Sequence, residues 1–485
     1  MKTQLNRRQF LTLSAGGIAG AALSQLAAHA AEPAQRLNIL LITADDMDVA
    51  TLGCSGGKVP GVTPNIDALA KEGLRFEHAH VTCAVCMPSR ETLMTGRYPH
   101  RHGGMGFYQI RNDVPTLQEQ LKAAGYLLGI LGKTEHLAPE AKFAWDVAAR
   151  APDLAMGRDP QSYYKRTREF IEQALREKKP FFLMANSHDP HRPFSGSPQE
   201  TERNGTDPKY PPPSRIYRPE EVDVPGFLPD IPDVRREIAY YYSSSRRCDD
   251  TVGAVLKALK ESGQEESTLV MFLSDNGMSF PFAKTNCYLR STHTPWIVRW
   301  PGKVKPGTVD STHFISGIDY MPTILEAAGL PPVRGMDGRS FLPLLSGGAQ
   351  GGRDRVFTVF HETSGRKEFP MRCVQDQQFG YIHNAWADGK TVFRCEPQSG
   401  LTWKAMEEAA KTDPKVAQRT RMFSYRVPEE LYDYSKDPCG LKNLADKPEY
   451  AQQLAKMRRW MLDWMTQTRD PLLPSYRARY GGSES

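Results

Sequence analysis

Between residues 37 and 277, a short run of apolar side chains stops abruptly at a polar cluster four times. The runs are residues 37–44, 126–131, 181–185 and 268–273. They lead into Asp45-Asp46, Gly132-Lys133, His188-Asp189-Pro190-His191 and Asp275-Asn276-Gly277. A continuous apolar run without alternation is what a strand buried on both faces needs. Segments of helical period, notably 163–178 and 235–261, lie between the runs. Strands alternating with helices build a mixed, mostly parallel sheet covered on both faces, an α/β fold. In such sheets the ligand crevice lies beyond the carboxyl ends of the strands. The pattern therefore predicts that Asp45-Asp46, the 188–191 segment and Asp275-Asn276-Gly277 meet in space.

Thr63-Pro64 open a helix whose Ile66, Leu69 and Ala70 form a buried stripe, and Gly73 stops it. A chain of 485 residues exceeds the size at which one core keeps growing, so two or three structural units are expected. Ser346-Gly347-Gly348-Ala349-Gln350-Gly351-Gly352 reads as a flexible joint. It separates a catalytic domain over 31–345 from a smaller C-terminal subdomain over 353–485, built of short strand-like pieces and turns. That subdomain ends in a helix where Tyr450, Leu454, Met457, Met461 and Trp464 recur at intervals of four and three, a single stripe for docking.

Arg7-Arg8-Gln9-Phe10-Leu11 precedes an Ala/Gly-rich apolar stretch ending in Ala28-His29-Ala30, the pattern of a twin-arginine signal over residues 1–30. The stretch is shorter than the roughly 20 residues that span a bilayer, which argues against a membrane anchor. The expectation is export through the twin-arginine machinery to the periplasm or the medium. Lys2, Arg7 and Arg8 carry three of the formal net charge of +6. The remaining +3 is too mild for a nucleic-acid binder. Cysteines 54, 83, 86, 248, 287, 373, 395 and 439 are scattered too thinly for a disulfide scaffold, and most are expected to be buried thiols. A homodimer stays open.

Asp45-Asp46 and Asp275-Asn276 offer hard oxygen ligands from two strand ends, a set suited to Ca²⁺ or Mg²⁺ rather than zinc. A cation there would polarise an anionic substrate and lower the pKa of a neighbouring hydroxyl. The stretch Cys86-Met87-Pro88-Ser89-Arg90-Glu91-Thr92-Leu93-Met94-Thr95-Gly96 matches C-x-P-S-R-x-x-x-(L/M)-T-G at every constrained position. That is the signature of the type I sulfatases, in which the cysteine is oxidised to formylglycine. A hydrated aldehyde carries two hydroxyls on one carbon. One attacks sulfur, and loss of the other's proton expels sulfate and restores the aldehyde. At a helix start, with Arg90 one turn on, backbone N–H groups and a guanidinium would face an anionic centre. Cys83-Ala84-Val85-Cys86 is also a C-x-x-C, but neither a second pair at zinc spacing nor a thioredoxin-like context accompanies it.

Within the type I sulfatases the chain resembles the N-sulfoglucosamine sulfohydrolases over nearly all of its mature length. The likeness includes Ser274-Asp275-Asn276-Gly277 continuing through Lys284-Thr285-Asn286, the run from His188 to Arg192, Phe369-Pro370-Met371-Arg372, the run from Glu430 to Pro438, and Asn443-Leu444-Ala445. It implies the alkaline phosphatase superfamily fold, with a smaller antiparallel sheet and a terminal helix after the large domain. It implies Cys86 as nucleophile and, with Asp45, Asp46, Asp275 and Asn276, as a ligand of Ca²⁺ or Mg²⁺. Arg90, Lys133 and Lys284 would compensate sulfate charge, His136 would handle a formylglycine proton, and His191 would protonate the leaving group. Two departures touch the pocket: Lys133 and His136 stand one residue further apart than the family's Gly-Lys-x-His, and Lys284 replaces an arginine. His361, Glu362 and Arg372 are candidates for reading sugar groups. The implied substrate is a sulfated glucosamine at a chain end, as sulfamate or sulfate ester, and the implied maturation partner is a formylglycine-generating enzyme. A phosphodiesterase or phosphonate monoester hydrolase of the same fold, and a glycan-binding relative whose cysteine is never converted, remain as rivals.

Overall fold

The computed structural model describes residues 36–204 and 210–481; the signal expected at 1–30 lies outside the described residues. The central sheet has eight strands: β1 (Asn38–Ala44), β2 (Leu74–His80), β3 (Leu127–Leu131), β4 (Val147–Ala149), β5 (Phe181–Asn186), β6 (Thr268–Ser274), β7 (Trp296–Arg299) and β8 (Thr308–Ser316). Their order is β4-β3-β5-β1-β6-β7-β2-β8, and β7 alone runs against the others. The four apolar runs of the sequence are β1, β3, β5 and β6, which lie side by side.

In β1, Ile39 and Leu41 pack on one face with Phe182, Met184 and Met271, while Leu40 and Ile42 pack on the other with Leu183, Val270 and Phe272. Both faces are enclosed, which is why these strands show no polar alternation. Each fully buried Leu or Ile contributes about 1.5–3 kcal/mol. The sequence pattern does not reveal the other four strands, for physical reasons. β2 carries half-exposed Arg75, Glu77 and His78, β8 begins in exposed polar residues, and β4 and β7 are very short.

Helices α1 (Pro64–Lys71), α2 (Cys86–Thr95), α3 (Pro160–Arg176) and α4 (Pro232–Glu261) flank the sheet. α1 buries Ile66, Leu69 and Ala70, the stripe its spacing predicts. α3 starts earlier than its apolar period suggests. Asp159 caps it by accepting from Gln161 N and Ser162 N at 3.1 and 3.0 Å, and Pro160 fits the first turn. α3 and α4 cover one face with Phe170, Ile171, Val252 and Val255, and α2 covers the other with Leu93 and Met94.

A second sheet, order β12-β11-β10-β9, is antiparallel: β9 (Arg355–Glu362), β10 (Glu368–Asp376), β11 (Phe379–Asn384) and β12 (Glu429–Asp433). With it come α5 (Leu401–Ala409) and α6 (Ala451–Thr468). α6 buries Leu454, Met457, Met461 and Trp464. Val359, Met371, Leu431 and Met457 from this part share one hydrophobic cluster with Val62, Cys83, Tyr98 and Phe280 from the earlier part. The described residues from Leu37 onward form one compact unit.

Candidate active site

Parallel register sets the site. Ala44 pairs with Ser274, Thr43 with Asn186, and Leu131 with Ala185, so four neighbouring strands end at one level. The polar residues that follow are tied together there: Asp45 N donates to Asp189 O at 3.1 Å and Asp275 N to Ala44 O at 3.2 Å. β2 leads through residues 81–85 to Cys86, the first residue of α2, whose N-cap Val85 offers no side-chain cap. Thr285 N donates to Ala84 O at 2.9 Å, fastening the Lys284 segment to the cysteine loop.

Cys86 Sγ lies 3.4 Å from Asp45 Oδ1. Arg90 donates to Asn186 Oδ1 at 2.6 Å, Thr43 Oγ1 at 2.9 Å and Asp275 Oδ2 at 2.7 Å, so three strand ends are cross-linked by one guanidinium. Asp46 sits in the left-handed region at φ 71°, and its N–H donates to Asp275 Oδ1 at 3.1 Å. Asp45, Asp46 and Asp275 present carboxylate oxygens within 4.8 Å of one another, and Asp45, Cys86 and His191 converge equally closely. Asn276 Nδ2 donates to Asp46 Oδ1 at 2.6 Å and to Gly277 O at 2.8 Å, which leaves its Oδ1 buried without a partner. Such an orphaned acceptor costs about 1–3 kcal/mol. Three convergent carboxylates beside it form a donor set that fits a hard divalent cation.

Three cations balance the three carboxylates. Lys133 Nζ pairs with Asp45, and Lys284 Nζ lies 2.7 Å from Asp46 Oδ2. Burial pushes the Asp45 carboxyl up, but Lys133, His191 and Arg90 outweigh it and hold it well below the usual range. At Asp46 and Asp275 burial prevails, and their carboxyls are pushed up to about 6 and about 7. Burial and the charge of Asp45 push the Cys86 thiol well above its ordinary value, so it is not a thiolate.

The additional residue between Lys133 and His136 is absorbed by a tight turn. Gly132 and Lys133 are both left-handed, at φ 71° and 56°, and Lys133 N donates to His188 Nε2 at 3.2 Å. Thr134–His136 is then a 3₁₀ turn, with His136 N donating to Lys133 O at 3.1 Å. The turn leaves the Lys133 ammonium close enough to His136 to help burial hold that imidazole well below its ordinary value. His191 Nδ1 is 2.7 Å from Arg192 O, and a carbonyl only accepts. Nδ1 therefore carries hydrogen, while Nε2 lies 3.9 Å from Asp46 Oδ2.

Residues 37–330 match the family described as Sulfatase. The chain belongs to the sulfatase family. Residues 278–391 of this sulfatase also match the family described as N-sulphoglucosamine sulphohydrolase, C-terminal. It is 32% identical to human N-sulphoglucosamine sulphohydrolase over 471 residues, 90% of this chain and 91% of that protein. It is 30% identical to an ulvan-active sulfatase of Formosa agariphila, over 89% of this chain and 80% of that one. Its fold is similar to that of the phosphonate monoester hydrolase of Agrobacterium radiobacter, with a TM-score of 0.66 at 20% identity, covering 89% and 96% of the two chains. It is also similar to a protein solved in complex with its substrate D-glucosamine-2-N,6-O-disulfate, with a TM-score of 0.63 at 19% identity, covering 90% and 99%. The alkaline phosphatase superfamily fold expected from the sequence is the one observed.

Asp45, Asp46, Cys86, Arg90, Lys133, His136, His191, Asp275, Asn276 and Lys284 of this sulfatase thus gather at one crevice. The second-sheet candidates fall in different places. Glu362, at the end of β9, accepts from Tyr108 OH at 2.5 Å. His361 is buried beside His100, ring centroids 6.4 Å apart. The structure does not bring Arg372 to the crevice; it is fully buried and held to Asp470 Oδ2 and Oδ1 at 2.5 and 3.1 Å. Arg192, the last residue of the run that begins at His188, pairs with Glu237 beside the crevice. Glu396, which carries no sequence signal of its own, lies 3.5 Å from Lys284 Nζ.

Proposed function

We propose that this sulfatase hydrolyses the sulfamate of a terminal N-sulfoglucosamine, the unit of heparin and heparan sulfate, or a sulfate ester on such a saccharide, with residue 86 as formylglycine. The likeness to human N-sulphoglucosamine sulphohydrolase across 90% of the chain supports the substrate class. The observation that carries the chemistry is residue 86 at the start of a buried helix, its side chain 3.4 Å from Asp45, in a ring of three carboxylates and three cations. A hydrated aldehyde in its place presents two hydroxyls to the same polar ring.

Arg90, Lys133 and Lys284 bind the sulfate and compensate the charge that develops on its oxygens during in-line attack on sulfur by one hydroxyl of residue 86, whose proton passes to Asp45 Oδ1, the acceptor beside it. Asp45, Asp46, Asp275 and Asn276 would hold Ca²⁺ or Mg²⁺, which would supply Lewis acidity and lower the pKa of that hydroxyl. Burial and the charges of Lys284 and Lys133 push the His191 imidazole down to about 3. The negative charge of bound sulfate offsets those cations, and His191, protonated beside the substrate, gives its Nε2 proton to the departing nitrogen or oxygen, so the S–N or S–O bond breaks with release of amine or alcohol. His136 takes the proton of the second hydroxyl; the C–O bond to sulfate breaks and the aldehyde re-forms.

The test uses enzyme produced with a formylglycine-generating partner, with the mass of the residue-86 peptide recorded. Turnover is measured on N-, 2-O-, 3-O- and 6-O-sulfated saccharides and on phosphonate and phosphate esters. N-sulfated glucosamine should be turned over best, and Cys86→Ala should lower kcat by roughly 10³-fold or more with the melting temperature unchanged. Substantial turnover by that variant, or a phosphonate preferred to every sulfated saccharide, overturns the proposal. An unmodified thiol without turnover favours the glycan-binding rival.

We also propose export to the periplasm or the medium by the twin-arginine route, on the strength of Arg7-Arg8. Among the described residues no helix is long and apolar enough to cross a membrane. Replacing both arginines with lysine should strand active enzyme in the cytoplasm. Undiminished exported activity would contradict this.

A further inference from the structure

The members of the cluster differ in how they meet solvent. The side chains of Asp45, Asp46, Asp275 and Arg90 are not exposed at all, and those of Lys284 and Lys133 only 3% and 7%. His191 and Glu396 are the partly open ones, at 29% and 27%. Sulfate therefore sits inward, and whatever carries it meets these two side chains at the mouth.

Glu396 comes from the second part of the chain, and its carboxylate is held from three directions. Ser279 Oγ donates to Oε2 at 2.6 Å, Arg192 Nε lies 3.4 Å from Oε1, and Lys284 Nζ lies 3.5 Å from Oε2. Arg192 is itself fixed by Glu237, by Ser279 O at 3.0 Å and by the Phe194 ring at 4.5 Å. Burial pushes the Glu396 carboxyl up, but Lys284, Arg192 and His191 outweigh it and hold it down to about 2. A carboxylate only accepts hydrogen bonds and repels anions. Charge neutralisation of sulfate has no use for one at this place, whereas a hydrogen-bearing group beside the scissile bond does.

We propose that Glu396 is a specificity-determining residue that accepts a hydrogen bond from the hydroxyl vicinal to the scissile sulfate and bars a second sulfate at that vicinal position. The proposal rests on the saccharide-sulfatase reading above and narrows it to substrates with a free vicinal hydroxyl. A fixed acceptor loses its partner when the hydroxyl is absent and meets a like charge when it is sulfated, so it selects by both attraction and exclusion.

The experiment compares the parent enzyme, Glu396→Gln and Glu396→Asp, each with formylglycine verified by mass and folding verified by thermal melt. The substrates are N-sulfoglucosamine, its 3-O-sulfated form and its 3-deoxy analogue. The parent should favour the free hydroxyl over the vicinal sulfate by about 100-fold. Glu396→Gln should lower kcat/KM on N-sulfoglucosamine by about tenfold and shrink its preference over the 3-O-sulfated form by tenfold or more. Glu396→Asp, which keeps the charge, should retain the exclusion. Equal loss by Glu396→Gln on all three substrates would show that the carboxylate only orients Lys284 and Arg192, and overturns the proposal alone. Absence of turnover by the parent on all three substrates overturns the sulfamate reading and this proposal with it.

Discussion

Arg90 and Arg372 are both fully buried guanidiniums paired to a carboxylate, yet their surroundings give them different work. Arg90 joins three strand ends at the crevice and keeps an unpartnered Nε. Arg372 directs its nitrogens to Asp470, Phe360 O and Met371 O, fastening the chain beyond α6 to the second sheet. Arg372→Ala leaves a buried carboxylate unpaired and should cost about 3–5 kcal/mol in thermal or denaturant unfolding. Below its melting temperature kcat/KM should stay within about twofold, as expected for a contact remote from the reacting atoms. A large loss of kcat/KM at unchanged stability would instead place Arg372 in the chemistry. Asp45, Asp46, Asp275 and Asn276 were legible because they follow apolar runs, and Cys86 and Arg90 because they lie in one motif, whereas Lys284 was legible only through the family resemblance. His361, Glu362 and Arg372 were not sortable, since sequence does not say which face of an antiparallel sheet looks toward the crevice. Glu396 sits on an irregular segment and is placed by tertiary contacts with Ser279, Arg192 and Lys284.

At the scale of elements, the turn after β3 shows how an insertion can be neutralised. A left-handed Lys133 followed by one 3₁₀ turn over Thr134–His136 takes up the additional residue. Deleting Glu135 removes the middle of that turn and displaces His136. Steady-state assays of the deletion should show kcat/KM reduced by roughly 10²-fold, because a displaced proton acceptor loses its alignment. Unchanged turnover would mean that His136 is dispensable. β1, β3, β5 and β6 could be read from sequence to within one or two residues at their ends, because enclosure on both faces leaves a plain apolar signature. A single 3₁₀ turn has no periodic signature, and half-exposed β2 and β8 dilute theirs with charge.

Across the whole molecule, one hydrophobic cluster joins the second sheet to the first half of α4 and to the loops that follow the central strands, so the second sheet has no core of its own to melt separately. Calorimetry should give a single unfolding transition for residues 37–485, and two separated transitions would contradict the shared core. If the carboxylate cluster takes up Ca²⁺, free ion at about 100 times its dissociation constant should add about 2.7 kcal/mol of stability over enzyme in chelator. A melting temperature indifferent to chelator, Ca²⁺ and Mg²⁺ would count against a cation there. The enclosure of α2 also dictates a sequence of events in the life of the polypeptide. Residue 86 is 3% exposed, on a helix buried along its whole length. An enzyme that remodels this side chain needs the surrounding stretch pliable and within reach, a state that ends when the sheets close over it. On the proposed formylglycine reading its window is therefore the newly made, still unfolded chain, and a molecule that folds first keeps its thiol.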